Sequence, residues 1–289
     1  MTLRNCTIEG NTVSDAGGDG GGIFIESTNL TLINSTVIGN TTQDDGGGIF
    51  VEDSTLILEN STIANNTAGD EGGGVNIFGQ NSSGTMTNTT ISGNRAMDEG
   101  GGIHLRFNGS ASLINTTVSN NTADRAAGGI SIAGGRSLTL SNSLVAGNFS
   151  DPTSPSAFAE VLVGFSTLNL LGNNLLGDSS KTNEQAFDKL PSGNVILATS
   201  DGSRATDITS ILSPLADNAG ATLTHALSSG SPAISAGSFS DCPATDQRDF
   251  PRDDETSFYL PIIAANDNIA VVDLGGNTCD IGSFEFDNS

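Results

Sequence analysis

The chain repeats itself. An apolar residue, one variable residue and then Asn-Ser/Thr-Thr-Val/Ile-x-x-Asn occur six times, with Cys6 and Leu144 as the exceptions at their positions. The first Asn of each copy is Asn5, Asn34, Asn60, Asn88, Asn115 and Asn142, giving steps of 29, 26, 28, 27 and 27. Glycine runs end at Gly22, Gly48, Gly74, Gly102 and Gly129, so they keep the same beat. Such a period means a structure stacked on itself, one repeat per turn. Each copy holds short β-like runs, such as Leu30-Thr31-Leu32, Val37-Ile38 and Ile49-Phe50-Val51, with turn residues between them and no helical periodicity. Three short strands in a turn of about 27 residues predict an all-β parallel β-helix, a solenoid whose neighbouring turns pair as strands ~4.8 Å apart.

Stacking turns positions into columns. Four are apolar: Leu3, Leu32, Leu58, Met86, Leu113 and Leu140; Ile8, Val37, Ile63, Ile91, Val118 and Val145; Ile23, Ile49, Val75, Ile103 and Ile130; Ile25, Val51, Ile77, Leu105 and Ile132. They are the expected core, each side chain contributing roughly 1.5–3 kcal/mol on burial. The Asn column from Asn5 to Asn142 is read as a ladder of left-handed corner residues whose amides bond from turn to turn. Triplets such as Asn34-Ser35-Thr36 also match a glycosylation sequon, but recurrence at one phase of every turn favours the ladder. Glycines at a second corner permit φ > 0.

The period fades after Asn148. Phe165–Asn174 resembles one more degenerate turn, and residues 178–212 are mixed, with room for a short helix. Residues 1–177 are therefore read as coil, and 178–289 as irregular final turns and a capping region. Three motifs follow in order: Pro214–Leu227 with Thr-His-Ala-Leu, Cys242–Arg252, and Cys279-Asp280-Ile281-Gly282-Ser283-Phe284-Glu285. Together they resemble the C-terminal region of bacterial surface proteins called choice-of-anchor Q domain proteins. The glycine- and asparagine-rich turns are similar to the repeats of polymorphic outer-membrane proteins. The resemblance implies a right-handed coil, export and display at the cell surface, and carries no established reaction. One departure is Asp249, where the family usually has Gly. Cys242 and Cys279 both fall in these motifs and are expected to form a disulfide, which suits an exported protein. His225, Asp246, Arg248 and Arg252 are expected to hold the cap together. Cys6 shares its phase with Ser35 and Ser61 and is expected to be a small buried residue.

The net charge is −23, with two lysines. Repulsion from phosphates excludes nucleic acid as a partner. No transmembrane run or signal peptide is visible. The chain begins part-way through a turn, so the natural start is expected upstream.

Positions that vary between turns are where function can reside. Asp44-Asp45, Asp70-Glu71 and Asp98-Glu99 precede three successive glycine runs, Asp19 precedes the first, and Ala126-Ala127 replaces them in the next turn. Stacked carboxylates repel, and Ca²⁺ with its oxygen ligands would bridge Asp44, Asp45, Asp70, Glu71, Asp98 and Glu99. A salt-screened acidic corner accounts for the same residues without an ion. On the following strand, alternate residues face outward. One outward column is Phe24, Phe50, Asn76, His104 and Ser131; its neighbour is Glu26, Glu52, Phe78, Arg106 and Ala133. Phe50, Phe78, Asn76, His104 and Arg106 form a candidate sugar-binding face. His104, Arg106 and Glu52 are the candidate catalytic groups, a basic residue being what proton abstraction beside a uronate requires. A third outward column, Thr7, Thr36, Thr62, Thr90 and Thr117, could form a flat ice-binding array. The expectation is a secreted or cell-surface protein acting in adhesion or in binding a polysaccharide or host glycan, without catalysis. The alternative is a calcium-dependent polysaccharide lyase or a related carbohydrate-active enzyme.

Overall fold

The computed structural model describes residues 1–132, 134–151, 153–154, 157–252, 259–263, 269–273 and 279–286. Its main body is a parallel β-solenoid. Four sheets run its length, of seven, eight, six and six strands, here A to D in the order the chain visits them. In the second turn the strands are Asn29–Ile33 (A), Thr36–Ile38 (B), Thr41–Thr42 (C) and Ile49–Glu52 (D). Each pairs in parallel with its counterparts above and below, as in Thr36↔Thr62↔Thr90↔Thr117 and Ile49↔Val75↔Ile103↔Ile130. The expected three strands per turn become four. The added sheet C consists of two-residue strands, too short to leave a period-2 pattern in the sequence.

The four apolar columns do line the interior, and most of their members are fully buried. Two further inward rows complete the core. One is Leu30, Leu56, Ala111 and Leu138 in sheet A, and the other is Ala68, Ala96 and Ala123 in sheet C. Leu3, Ile8 and Ile23 of the first turn are only partly buried. Cys6 is likewise half-buried rather than enclosed. Its thiol contacts the Arg4 carbonyl as the Ser35 hydroxyl contacts that of Ile33, so the phase assignment stands and the burial does not.

The asparagines divide their labour. Asn5, Asn34, Asn60, Asn88, Asn115 and Asn142 all have φ between 45° and 52° and make the corner from sheet A to sheet B. They do not form the continuous amide ladder expected of them; Asn88 Nδ2 donates to Asn60 Oδ1 at 3.2 Å, but most of these amides point elsewhere. The ladder is built by the second Asn of each copy, at the corner from B to C. In the row Asn11, Asn40, Asn66, Asn94, Asn121 and Asn148, each of the first five donates Nδ2 to the next member's Oδ1 at 2.9–3.0 Å. From Asn40 on they are fully buried. Each inner oxygen also accepts the preceding backbone N–H, and each nitrogen donates to a carbonyl of the turn below, as Asn66 does to Val37. The amides thus satisfy buried corner groups that would otherwise be orphaned. Glu160 ends the ladder, its carboxylate accepting from Asn148 Nδ2 at 2.7 Å and from the amides of Gly147 and Asn148.

In the mixed region, short helices at Asn183–Ala186 and Ile208–Ile211 flank sheet B's last strand, Val195–Leu197. Later segments of the region read as final turns and cap run along the outside of sheet B as a strap. Thr62 Oγ1 donates to the Leu223 carbonyl, Thr90 Oγ1 to Gln247 Oε1, and the Ser283 amide to Thr117 Oγ1. His225 Nε2 meets Ser92 Oγ at 2.8 Å. The corner asparagines reach the strap too: Asn60 to Asp249, Asn88 to the Thr245 carbonyl, Asn115 to that of Asp280 and Asn142 to that of Ser238. Three of the five threonines of the proposed ice-binding column, Thr62, Thr90 and Thr117, are therefore buried and hydrogen-bonded, which rules out a flat exposed array. Ile281, Phe284 and Leu227 pack on Leu144, Ala146 and Leu175 beneath. Cys242 and Cys279 are joined, with Cα atoms 6.6 Å apart. Asp246 pairs with Arg248 and Glu285 with buried Arg252. Asp249 has φ 66°, a conformation that glycine adopts without strain, which explains why glycine suits that position.

Two predictions follow from this packing. Asn94→Ala removes one rung and orphans its partners on both sides, at a cost of about 2–4 kcal/mol. Asn34→Gly keeps the left-handed corner and changes stability by about 1 kcal/mol or less; urea denaturation compares the two. Burial pushes Glu160 and Glu285 up to about 7 from 4.5. The native state then binds more protons than the unfolded chain between those values, so this contribution is present below about 4.5 and is lost as pH rises to about 7. The urea midpoint is expected to be lower at about pH 8 than at about pH 5.5, and Glu160→Gln to shrink that difference.

Candidate functional site

The site lies where sheet C passes into sheet D. The chain makes an excursion there, Gln43–Gly46 in the second turn, before the strand Ile49–Glu52. Gly46 and Gly72 have φ of 70° and 68°, and a Cβ on either would lie 2.6–2.7 Å from the Cβ of Phe50 or Asn76. Glycine is required twice over, for the left-handed backbone and for the close approach. The excursions thus fold onto the outward column of sheet D and cover it. Phe24 remains 46% exposed, but Phe50, Asn76, His104 and Ser131 are 3%, 0%, 1% and 0% exposed. Alternation alone could not reveal this, because the covering atoms belong to an excursion with no strand pattern.

Asp19, Asp45, Glu71 and Glu99 form the inner acidic column, and Ala126 continues it. Each carboxylate reaches toward the turn above. Asp19 Oδ1 accepts the Asp45 amide at 3.2 Å, and Asp45 Oδ1 the Glu71 amide at 2.9 Å. Longer by one methylene, Glu71 and Glu99 extend to the outward residue of the next sheet D strand. Glu71 Oε2 stands 3.1 Å from His104 Nδ1, an ion-pair distance without hydrogen-bond alignment, and accepts from Arg106 Nη1 at 2.7 Å. Glu99 Oε2 accepts from Ser131 Oγ at 2.9 Å, and Oε1 from Arg125 Nη2 at 2.8 Å. Arg125 also holds Asp98 at 2.9 Å. The upper half of the corner is therefore neutralised by the protein's own cations. Among the described residues, no Lys or Arg is ion-paired with Asp19, Asp44, Asp45 or Asp70.

Titration follows this division. Burial pushes the Asp45 carboxyl up to about 7, with repulsion from Glu71, Asp44 and Asp70 adding to it. Asp19, Asp70 and Asp98 are also raised, by burial first. Burial acts on Glu71 in the same direction, but His104 and Arg106 outweigh it and hold that carboxyl below its ordinary value.

The same face carries a line of aromatic rings. Phe24 stacks on Phe50 with centroids 5.5 Å apart and planes 4° apart; Phe50 and Phe78 follow at 5.9 Å, and Phe78 meets Phe107 edge-on at 4.8 Å. Arg106 lies over the Phe107 ring, 5.1 Å from its centroid. Phe107 is 50% exposed with φ 58°, an uncommon conformation for a bulky residue. Sequence reasoning missed Phe107 because it lies just past the periodic strand, and missed the role of Phe24 by centring the face on later turns.

A profile described as the right handed beta helix region matches residues 2–175. The chain belongs to the right-handed β-helix family. No curated protein and no solved structure matches it. The match ends within the strand Asn174–Leu176, sheet B's last strand but one. No helix among the described residues is long and apolar enough to cross a membrane.

On this β-helix the candidate residues are only partly brought together. Phe50, Phe78, Asn76, His104 and Arg106 lie on one side of sheet D, but Phe50, Asn76 and His104 are covered there. The catalytic candidates do not converge. Glu52 is paired with Phe78, and Arg106 lies on Phe78's other side, so Glu52 and Arg106 are two turns, about 10 Å, apart. His104 is enclosed, and Arg106 is tied to Glu71. Ala133, at the end of the Glu52 column, lies outside the described residues. Of the six acidic residues expected as metal ligands, Glu71, Asp98 and Glu99 have cationic side chains as partners; Asp44, Asp45 and Asp70 do not.

Glu71 is the hub of this corner. Glu71→Gln is expected to cost about 1–3 kcal/mol at neutral pH, because Arg106 and His104 lose their anion. The contribution of a lowered carboxyl is present above its unfolded value of 4.5 and is lost as pH falls through the native one. The variant should therefore lose less stability than wild type on acidification from about pH 5 to about pH 3.

Proposed function

We propose that this β-helix binds a glycan along the outer face of sheet D, without turning it over, as part of a secreted or cell-surface bacterial protein. The observation that carries the reading is the row of rings Phe24, Phe50, Phe78 and Phe107, ending in an exposed ring held in a strained backbone conformation. Ring faces take up the apolar faces of sugars, and strain persisting at a displayed side chain is a mark of function. Glu26 and Glu52 stand beside the row and offer acceptors to hydroxyl groups. Their charge, with that of Asp19, Asp44, Asp45 and Asp70, favours a neutral glycan over a polyuronate. The enclosure of His104 and its distance in sequence register from Glu52 support binding rather than lysis. The disulfide between Cys242 and Cys279 supports an oxidising compartment.

A glycan array followed by calorimetry on the hits tests this. Phe24→Ala and Phe107→Ala should each weaken binding by about 1–2 kcal/mol, or roughly tenfold, with the fold intact by circular dichroism. The same glycans are incubated with the protein and followed for unsaturated product by ultraviolet absorbance, with none expected. Product formation that His104→Ala abolishes would establish the lyase alternative instead, and an array without hits would remove the glycan reading.

A further inference from the structure

The lower half of the acidic corner has no protein cation to answer its charge, and the residue above it is left without a partner. Single ligand oxygens of Asp19, Asp44 and Asp45 lie within 4.8 Å of one another. That spacing suits oxygens on a shared ion with bonds of about 2.3–2.6 Å. By itself an acidic cluster says little, since exposed carboxylates gather on many surfaces. The second observation is Asn76. It is 0% exposed, and among the described residues neither its amide nitrogen nor its amide oxygen has a hydrogen-bond partner. Buried polar atoms are rarely left so, and each exception needs an explanation.

Register shows where the Asn76 side chain points. In this corner the acid of one turn faces the outward sheet D residue of the next: Glu71 faces His104 and Glu99 faces Ser131. Asn76 holds that position one turn below His104, and the acid one turn below Glu71 is Asp45, which accepts the Glu71 amide. Gly72, next to Glu71, lies directly over the Asn76 Cβ. Asp45 is one methylene shorter than Glu71 or Glu99, so the contact that Glu71 and Glu99 make is missing here. By register the unpaired Asn76 amide therefore faces Asp45, a member of the carboxylate cluster.

We propose that this corner is a calcium site, with Asp19, Asp44 and Asp45 supplying carboxylate oxygens and Asn76 its amide oxygen. The ligands are all hard oxygens, and three negative charges on one divalent ion suit Ca²⁺. The ion would clamp the first three turns, where Arg106 and Arg125 clamp the later ones. This site does not depend on glycan binding. Asp70 is a further acid of this corner with no Lys or Arg ion-paired to it among the described residues, and Glu71, Asp98 and Glu99 are excluded as ligands because arginines hold them.

The test uses protein treated with chelator and then dialysed free of it. Titration with CaCl2 in the calorimeter should show one saturable site per chain, and saturation should raise Tm by several degrees. NaCl at matched ionic strength should not reproduce the rise. Asp45→Asn and Asn76→Leu should each weaken calcium binding by about tenfold or more, whereas Asp98→Asn, at the arginine-held level, should leave it unchanged. If a variant fails to fold, Asp19→Asn and the wild-type stoichiometry still decide the matter. The proposal is overturned if wild type shows no saturable calcium binding, if NaCl gives the same rise in Tm, or if Asp45→Asn and Asp19→Asn bind calcium as wild type does.

Discussion

In a parallel coil each residue stands about 4.8 Å from its counterpart in the next turn. Whatever a position holds is set against itself, turn after turn. Apolar residues gain from this: Leu32 on Leu58 on Met86 is a buried row needing nothing but register. Asparagine gains as well, since a primary amide both donates and accepts, and a stack of amides can satisfy itself. The row from Asn11 to Asn148 does so inside the corner between sheets B and C. Such a stack has a polarity, and its last donor must find a different acceptor. Glu160, fully buried and drawn from outside the repeat, is that acceptor.

Carboxylates are the residues for which self-stacking is unfavourable, and the inner acidic column shows how the coil deals with them. From the third turn upward the repulsion is relieved by breaking the repeat. Arg106 answers Glu71, Arg125 answers Glu99 and Asp98, and Ala126 ends the column. The residues that break the repeat are thus energetic consequences of the repeat. His104 belongs with them: it is enclosed beside Glu71 at 3.1 Å, so its presence on an otherwise variable face has an electrostatic explanation before any catalytic one.

Much of the coil was legible because stacking makes a period. The four apolar columns, the left-handed corner at Asn34 and its equivalents, and the extra turn near Phe165–Asn174 all follow from spacing. Sheet C was not legible, since a strand such as Thr41–Thr42 is shorter than any pattern. The assignment of the amide ladder to the wrong asparagine has a different origin. Both Asn columns keep the same period, and periodicity cannot tell a corner that needs positive φ from one that needs buried hydrogen bonds. The candidate face was legible in its membership but not in its exposure. Phe50, Asn76 and His104 do point outward, yet glycine-led excursions lie over them, and an excursion covers a neighbour through contacts that no period records.

The strap follows from the same division between the two asparagine columns. The second column spends its amides on the ladder, while the first, set at the corner beside sheet B, keeps most of its amides free. Those amides, with the hydroxyls of Thr62, Thr90 and Thr117, present donors and acceptors at regular intervals along one side of the coil. A returning segment can bond to them without adopting the period itself, because each contact requires only one carbonyl or side chain at the right height. Residues such as Leu223, Thr245, Gln247 and Asp280 supply these. An irregular strap can therefore fit a regular coil, and joining Cys242 to Cys279 ties two of its segments together where Asn115 and Asn142 hold them to the coil. Sheet B is thereby closed to other ligands. The outer side of sheet D, which the strap's contacts with the corner and sheet B leave aside, keeps Phe24 and Phe107, the two ends of its row of rings, at the surface.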